Sequence, residues 1–257
     1  MASQAPQGLP LFYKDLVPLS QQEHAGWRYQ TLTHATFLRN EHAVPLTIDE
    51  FPVAQRNYPI IFSSGDNPVP LALMGLNEGV NTFVDDEGKI NDPVYVPAYV
   101  RRYPYLLARL REDSDELSLC VDPTAGGVAQ SDEGEPIFEG EEISEQTKGL
   151  LQFLENFEQA GQRTGAFMQE LKDHDLLMEG EVTITQEEGG EPMIYRGFQM
   201  VNEEKLRELR GDVLRKMMQS GFLPLVHAHL FSVSLMRDIF GRQVAQGKSV
   251  APVPTQA

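Results

Sequence analysis

An α+β fold follows from the spacing of apolar residues along the chain. Residues 11–122 carry short apolar runs broken by prolines, which suit short, mostly antiparallel strands. Residues 144–242 repeat apolar side chains at helical spacing, with room for one small hairpin. Strands come first and helices after, unlike the regular alternation of a doubly wound sheet. The chain thus reads as a strand-rich half (11–122), an acidic loop (123–143) and a helical half (144–242). A single domain over 11–242 fits the same pattern.

The strand-rich half opens with LFYKDLVPL, 11–19, an extended piece that Pro18 keeps away from a sheet centre. Trp27, Tyr29, Thr31 and Thr33 then alternate on one face of a β-like stretch, 27–37. Thr47 can cap a short helix, with Glu50 three residues later to complete a capping box. The run YPIIFS, 58–63, reads as a buried strand; 71–76 and 82–84 read as two more, the last closed by an acidic turn at 85–88. Pro104 suits the first turn of a helix running to about Arg111. Residues 117–121 form the last strand of this half. The stretch 123–143 is long for an unstructured connection and marks a junction or a functional loop.

The helical half starts at Ser144, an N-cap residue with Glu145 at the positive helix end. Leu150, Leu154, Phe157, Gly161, Gly165, Met168 and Leu171 recur at helical spacing to about His174. Gly161 and Gly165 share a face and predict close packing against another element. Residues 182–186 and 194–200 read as a hairpin around 188–190, and Asn202 can cap the next helix. The longest uncharged run, 217–236, nearly reaches a membrane-spanning length. Its Pro224, His227 and His229 fit lipid poorly. It is expected to end one helix, turn at Ser220 and Gly221, and begin a buried helix from 223 to 240 that Gly241 closes. Residues 1–10 and 246–257 read as tails.

A net charge of −17 argues against non-specific nucleic-acid binding and against docking on anionic lipid. No Lys or Arg falls between Arg111 and Lys148, where twelve acids do. That interval is a solvated, solubilising surface or a docking surface for a cation or, through 132–142, for a basic protein partner. Cys120 is the single cysteine and lies in an apolar run, which suits a buried thiol and excludes an internal disulfide. The N-terminus shows no basic region followed by an apolar stretch, so no secretory signal is expected. Together these features fit a reducing cytoplasm.

Residues 91–108, NDPVYVPAYVRRYPYLLA, hold the densest set of large amphipathic side chains in the chain. Arg101 and Arg102 are neighbours, so they point to different sides of whichever backbone carries them. Flanked by Tyr99, Tyr103 and Tyr105, one of them could hold a carboxylate or phosphate bidentately. The competing reading is an internal ion pair, with Glu50 or an acid of 112–145, plus cation–π stacking. His227 and His229 suit one metal only on an extended backbone, because on a helix they are splayed by roughly 200°. A buried histidine bonded to the backbone is the default there, and no metal or cofactor is expected. There is no phosphate-binding Gly-rich loop, no nucleophile elbow, and no carboxylate pair that stands out as acid and base.

Several segments together resemble one bacterial family. They are EFPVAQRNYPIIF at 50–62, NTFVD at 81–85, VPAYVRRYP at 96–104, LCVD at 119–122, EGEPIF at 133–138, the acid- and aromatic-rich helix 153–177, and GFLPLVHAHL at 221–230. In collinear order from Tyr13 to Arg242 they are similar to the SapC family. That family takes its name from genes concerned with a bacterial surface-protein layer and its export. The resemblance implies an accessory role in producing or exporting such a protein, and it brings no catalytic residues. A similarly named peptide-transport permease crosses the membrane many times, which this chain cannot do. Two classes of function follow: a non-catalytic cytoplasmic binding or accessory protein, or an enzyme or small-anion-binding protein with a pocket at 99–105.

Overall fold

The computed structural model describes residues 8–90, 93–110, 116–184 and 193–248. By its contacts the chain divides into two compact units, each made of two stretches. The first unit takes the described residues of 1–33 and 101–158, the second those of 34–100 and 159–257. Short antiparallel strands and helices of up to 29 residues make the class α+β.

In the first unit, Tyr105–Arg109 and Leu117–Val121 pair antiparallel over their whole length, from Tyr105 opposite Val121 to Arg109 opposite Leu117. Val17–Pro18 adds to the other edge of Leu117–Val121. A second sheet sets Trp27–Tyr29 between Val128–Gln130 and Glu135–Pro136. Tyr105, Leu107, Val121, Val128, Ile137 and Leu154 form the core where these sheets meet the long helix. The helix Glu145–Asp173 begins at Ser144, whose Oγ accepts the Thr147 N–H at 3.2 Å. Thr147 donates its hydroxyl to the Ile137 carbonyl at 2.9 Å, fixing the first helical turn beside the strands.

Two sequence expectations fail in this unit. The helix after Pro104 is a strand. Tyr105, Leu106 and Leu107 are all buried, and pairing with Leu117–Val121 satisfies their backbone in a way a single helical turn could not. The acidic stretch 123–143 is not an open loop. It holds Val128–Gln130, Glu135–Pro136 and the hairpin Phe138–Glu139 with Glu142–Ile143. Strands of two or three residues lie below any detectable period.

In the second unit a five-stranded antiparallel sheet runs in the order Leu177–Glu179, Gln199–Val201, Ile60–Phe62, Pro70–Leu73, Ala43–Pro45. Val44, Ile60, Phe62, Ala72 and Leu73 are wholly buried. Continuous apolar runs make such two-sided burial possible. Phe167 packs edge-on against both Phe51 and Phe222, at 5.9 and 5.4 Å between ring centres. The expected capping box is present: the Thr47 N–H and hydroxyl both donate to Glu50 Oε2, at 2.8 and 2.9 Å. Asn202 caps Glu203–Arg207 as expected, accepting the Lys205 N–H at 3.1 Å.

Other readings of this unit need adjustment. Residues 82–84 form no strand, only a bridge from Val84 to Ile90 around the turn at Asp85. Val182–Ile184 pairs with Met193–Tyr195, while Gln199–Val201 joins the large sheet; the turn expected at 188–190 lies outside the described residues. The turn at Gly221 stands, with φ at 79° between Gly211–Gln219 and Phe222–Ser232. The last helical stretch is broken by one tight turn, Val233–Leu235, and then runs through Gly241 to Ala245. Among the described residues no helix is long and apolar enough to cross a membrane.

Gly161 and Gly165 are not close-packing sites, because a Cβ at either would meet nothing within 4 Å. Both are exposed in the helix interior. Glycine costs about 1 kcal/mol there relative to alanine. Gly161→Ala and Gly165→Ala should each raise the urea unfolding midpoint, by about 1 kcal/mol of stability.

Candidate functional site

The helix Ala98–Arg101 ends where the strand-bound segment begins, so Arg101 and Arg102 leave the backbone in different directions. Arg102 is 5% exposed and Arg101 is exposed. The Arg102 guanidinium lies 4.6 Å from the Phe157 ring centre and 5.7 Å from that of Tyr13. Its Nη1 is 3.8 Å from Glu158 Oε1. Burial pushes the Glu158 carboxyl above its ordinary range, and Arg102 opposes that rise. Tyr13 donates its hydroxyl to the Tyr105 carbonyl at 2.6 Å and meets Tyr103 edge-on at 5.2 Å. Arg102 thus holds an internal ion pair and two ring contacts, with Glu158 as its acid. Glu50 is engaged elsewhere, accepting the Ala98 N–H at 2.6 Å and the Tyr95 hydroxyl at 3.0 Å.

Arg101 borders a cleft of about 130 Å³ within the first unit. Its guanidinium stacks 5.1 Å from the Phe153 ring centre. Tyr29, Tyr103 and Tyr105 supply the aromatic walls, Pro136 and Leu150 the aliphatic ones. Gln146 and Thr147, in the first turn of Glu145–Asp173, close the polar end. The positive end of a long helix and a guanidinium therefore face one small space. None of the described lining residues is acidic.

Tyr105 is 5% exposed, and its ring lies 5.8 Å from that of Tyr29. Tyr105 is one of the residues that line the cleft. Burial pushes its phenol well above the ordinary range, and Tyr29 adds to the rise. Tyr103 is pushed up to about 12, first by burial and then by the Asp122 carboxylate. Both stay neutral hydrogen-bond donors at any physiological pH.

Tyr99 is buried and belongs to the second unit. The two histidines part company on Phe222–Ser232. His227 is exposed and stacks on Phe231 at 5.8 Å, while His229 is wholly buried. His229 Nδ1 donates to the Ile60 carbonyl at 2.7 Å, and Nε2 accepts the Val201 N–H at 3.1 Å. Those two bonds fix one neutral tautomer. The ring stacks on Phe62 at 4.6 Å. Burial lowers its pKa to about 4, against the raising effect of the Ile60 bond. Helical backbone thus separates the pair, and among the described residues no three His, Cys, Asp or Glu side chains gather as metal ligands.

A family model described as SapC matches residues 19–239. The chain belongs to the SapC family. No curated protein and no solved structure matches it. In this SapC-family chain the distinctive VPAYVRRYP string supplies Arg101 and Tyr103 to the cleft, and Arg102 to the packing behind it. Tyr105 follows the string directly, and the remaining walls come from Tyr29, Pro136, Gln146, Thr147 and Leu150, which sequence reading did not single out as site residues. Tyr29 appeared only as an aromatic in an alternating run, and Leu150 only as one apolar position of the long helix.

Proposed function

We propose that this SapC-family chain is a non-catalytic binding protein whose binding site is the cleft of the first unit. The observation that carries the proposal is the lining. One arginine and three tyrosines stand at the first turn of a 29-residue helix, and none of the described lining residues carries a carboxylate, in a chain of 38 acidic residues. The polar groups there hold a ligand rather than move protons. Tyr103, pushed up to about 12, and Tyr105 keep their protons near neutrality, and a guanidinium does not release one. A group suited to general acid–base work would titrate close to the working pH.

The accessory role that the family's name implies rests on a separate feature of the same unit. Asp132, Glu133, Glu135, Glu139, Glu141 and Glu142 are all exposed, which suits a basic polypeptide partner. A cytoplasmic setting accords with the single buried cysteine, whose thiol burial pushes up.

Native mass spectrometry of the protein purified gently from its own host tests both parts. The expected result is a co-purifying small molecule that is lost from a Leu150→Trp variant, in which the indole fills the cleft. A small molecule retained by that variant would place the site elsewhere. A co-purifying polypeptide lost when the acids of 132–142 are replaced by serine would support the accessory role; one retained would remove those acids from it.

A further inference from the structure

We propose that a second cleft of the first unit binds a free α-amino acid with an aromatic side chain. This cleft measures about 330 Å³ and opens where the strand Trp27–Tyr29 begins. It is separate from the cleft of Arg101; among the described lining residues, Pro136 alone borders both.

The frame of the cleft is fixed by the fold. The turn 131–134 is pinned to the neighbouring strand at both ends. The Ser131 N–H donates to the Gly26 carbonyl at 3.4 Å, and Arg28 Nη1 donates to the Gly134 carbonyl at 3.0 Å. Gly134, with φ at 95°, packs so closely that an added Cβ would lie 2.5 Å from the Tyr29 carbonyl oxygen. Glycine is therefore required there. Trp27 is held as well: its ring meets His24 edge-on at 4.4 Å and packs against the core of the unit. Walls held in this way lose little freedom when a ligand binds.

Two opposite charges line this space without pairing. Arg28 is half-buried, and among the described residues its guanidinium donates only to the Gly134 carbonyl. That bond engages one of five N–H groups, so the others can grip a carboxylate. The Asp132 carboxylate, on the same turn, has no hydrogen-bond or ion-pair partner among the described residues. A guanidinium and a carboxylate that share a cleft yet stay apart are matched by a ligand carrying both charges. An α-amino acid does so, with its carboxylate at Arg28 and its ammonium at Asp132. Being neutral overall, it is not repelled by a chain of net charge −17, as a plain anion would be.

The apolar walls set the side chain. Trp27 and Phe138 supply aromatic surface, and Pro136 an aliphatic one. A cavity of roughly 150 Å³ takes one benzene ring, so about 330 Å³ holds a ring together with an amino-acid head. A ring placed beside the indole gains beyond simple area burial.

Trp27 is the single tryptophan of the chain, so its fluorescence reports on this cleft. Titration of the full-length chain with L-phenylalanine should give a saturable change, with a dissociation constant on the order of 0.1–1 mM for a ligand of that size. A ligand held this loosely leaves during purification, unlike one that co-purifies. L-Phenylalaninamide lacks the carboxylate and N-acetyl-L-phenylalanine lacks the ammonium; each should bind at least about tenfold more weakly. Arg28→Gln should weaken L-phenylalanine about tenfold, and Asp132→Asn several-fold. Asp132→Asn leaves the bond from Arg28 to Gly134 in place, so its effect is not that of a loosened turn. Leu150→Phe narrows the Arg101 cleft without adding an indole and should leave the titration unchanged. No saturable change, equal binding of either derivative, or full affinity in either charge variant would overturn the proposal. Loss of L-phenylalanine binding in Leu150→Phe would also overturn it, by moving the ligand to the other cleft.

Discussion

A His229→Ala variant is expected to lose about 3–5 kcal/mol of stability. The substitution removes a ring stacked on Phe62 in a wholly buried position. It also orphans the Val201 N–H and the Ile60 carbonyl, each held at 3.1 and 2.7 Å respectively. Those groups belong to adjacent strands of the five-stranded sheet, so the loss falls on its centre. The melting temperature should drop by about 10 °C or more. A drop of only a degree or two would mean that the ring is not the bridge described.

The same residue gives a pH signature with a fixed sign. His229 has its folded pKa lowered from 6.5 to about 4. Between those values the unfolded chain binds more protons than the folded one, so stability rises with pH across that window. The contribution is full above about pH 6.5 and falls as pH drops towards 4. Going from pH 7 to pH 5 should cost about 2 kcal/mol through this group. Urea unfolding at the two pH values measures it, and His229→Ala should lose that part of the slope. An equal slope in both proteins would assign the acid sensitivity to other groups.

Glu50→Ala carries the second large effect, about 3–5 kcal/mol. The side chain is 4% exposed and accepts four hydrogen bonds. Two come from the Thr47 capping box. The others come from the Tyr95 hydroxyl and the Ala98 N–H, so one carboxylate ties the start of the 48–54 helical segment to the backbone just before Arg101. Alanine deprives three buried donors and the half-buried Tyr95 hydroxyl of that acceptor. Glu50→Gln keeps the shape but turns an NH₂ group towards two of them, and should recover less than half of the loss. Full recovery by glutamine would show that charge is irrelevant at this position and that the four bonds are not what stabilises it.

What was legible in the sequence was local. The Thr47–Glu50 box, the Ser144 and Asn202 caps and the Gly221 turn each need only three or four consecutive residues, and each is present. That Arg101 and Arg102 differ in their surroundings, one exposed and one buried, followed from adjacency alone. Pairing between distant stretches was not legible. Pro104 favours a helix start as strongly as a strand start, and only the partner strand Leu117–Val121 decides between them. The short strands of 123–143 carry too few residues for a period. The membership of Leu177–Glu179 and Gln199–Val201 in one sheet with Ala43–Pro45 spans most of the chain. The cleft failed for the same reason: Tyr29, Pro136 and Leu150 become neighbours of Tyr105 only through strand pairing and the placement of the long helix.

The claim that the cleft of the first unit is where this chain binds can be tested by labelling its tyrosine rings with ¹³C and comparing, by NMR, protein that holds its co-purified small molecule with protein stripped of it. The account predicts shifts at Tyr29, Tyr103 and Tyr105, with Tyr58 and Tyr195 of the second unit unmoved. Shifts at Tyr58 or Tyr195 alone, or loss of the small molecule without any movement of the three cleft tyrosines, would contradict it.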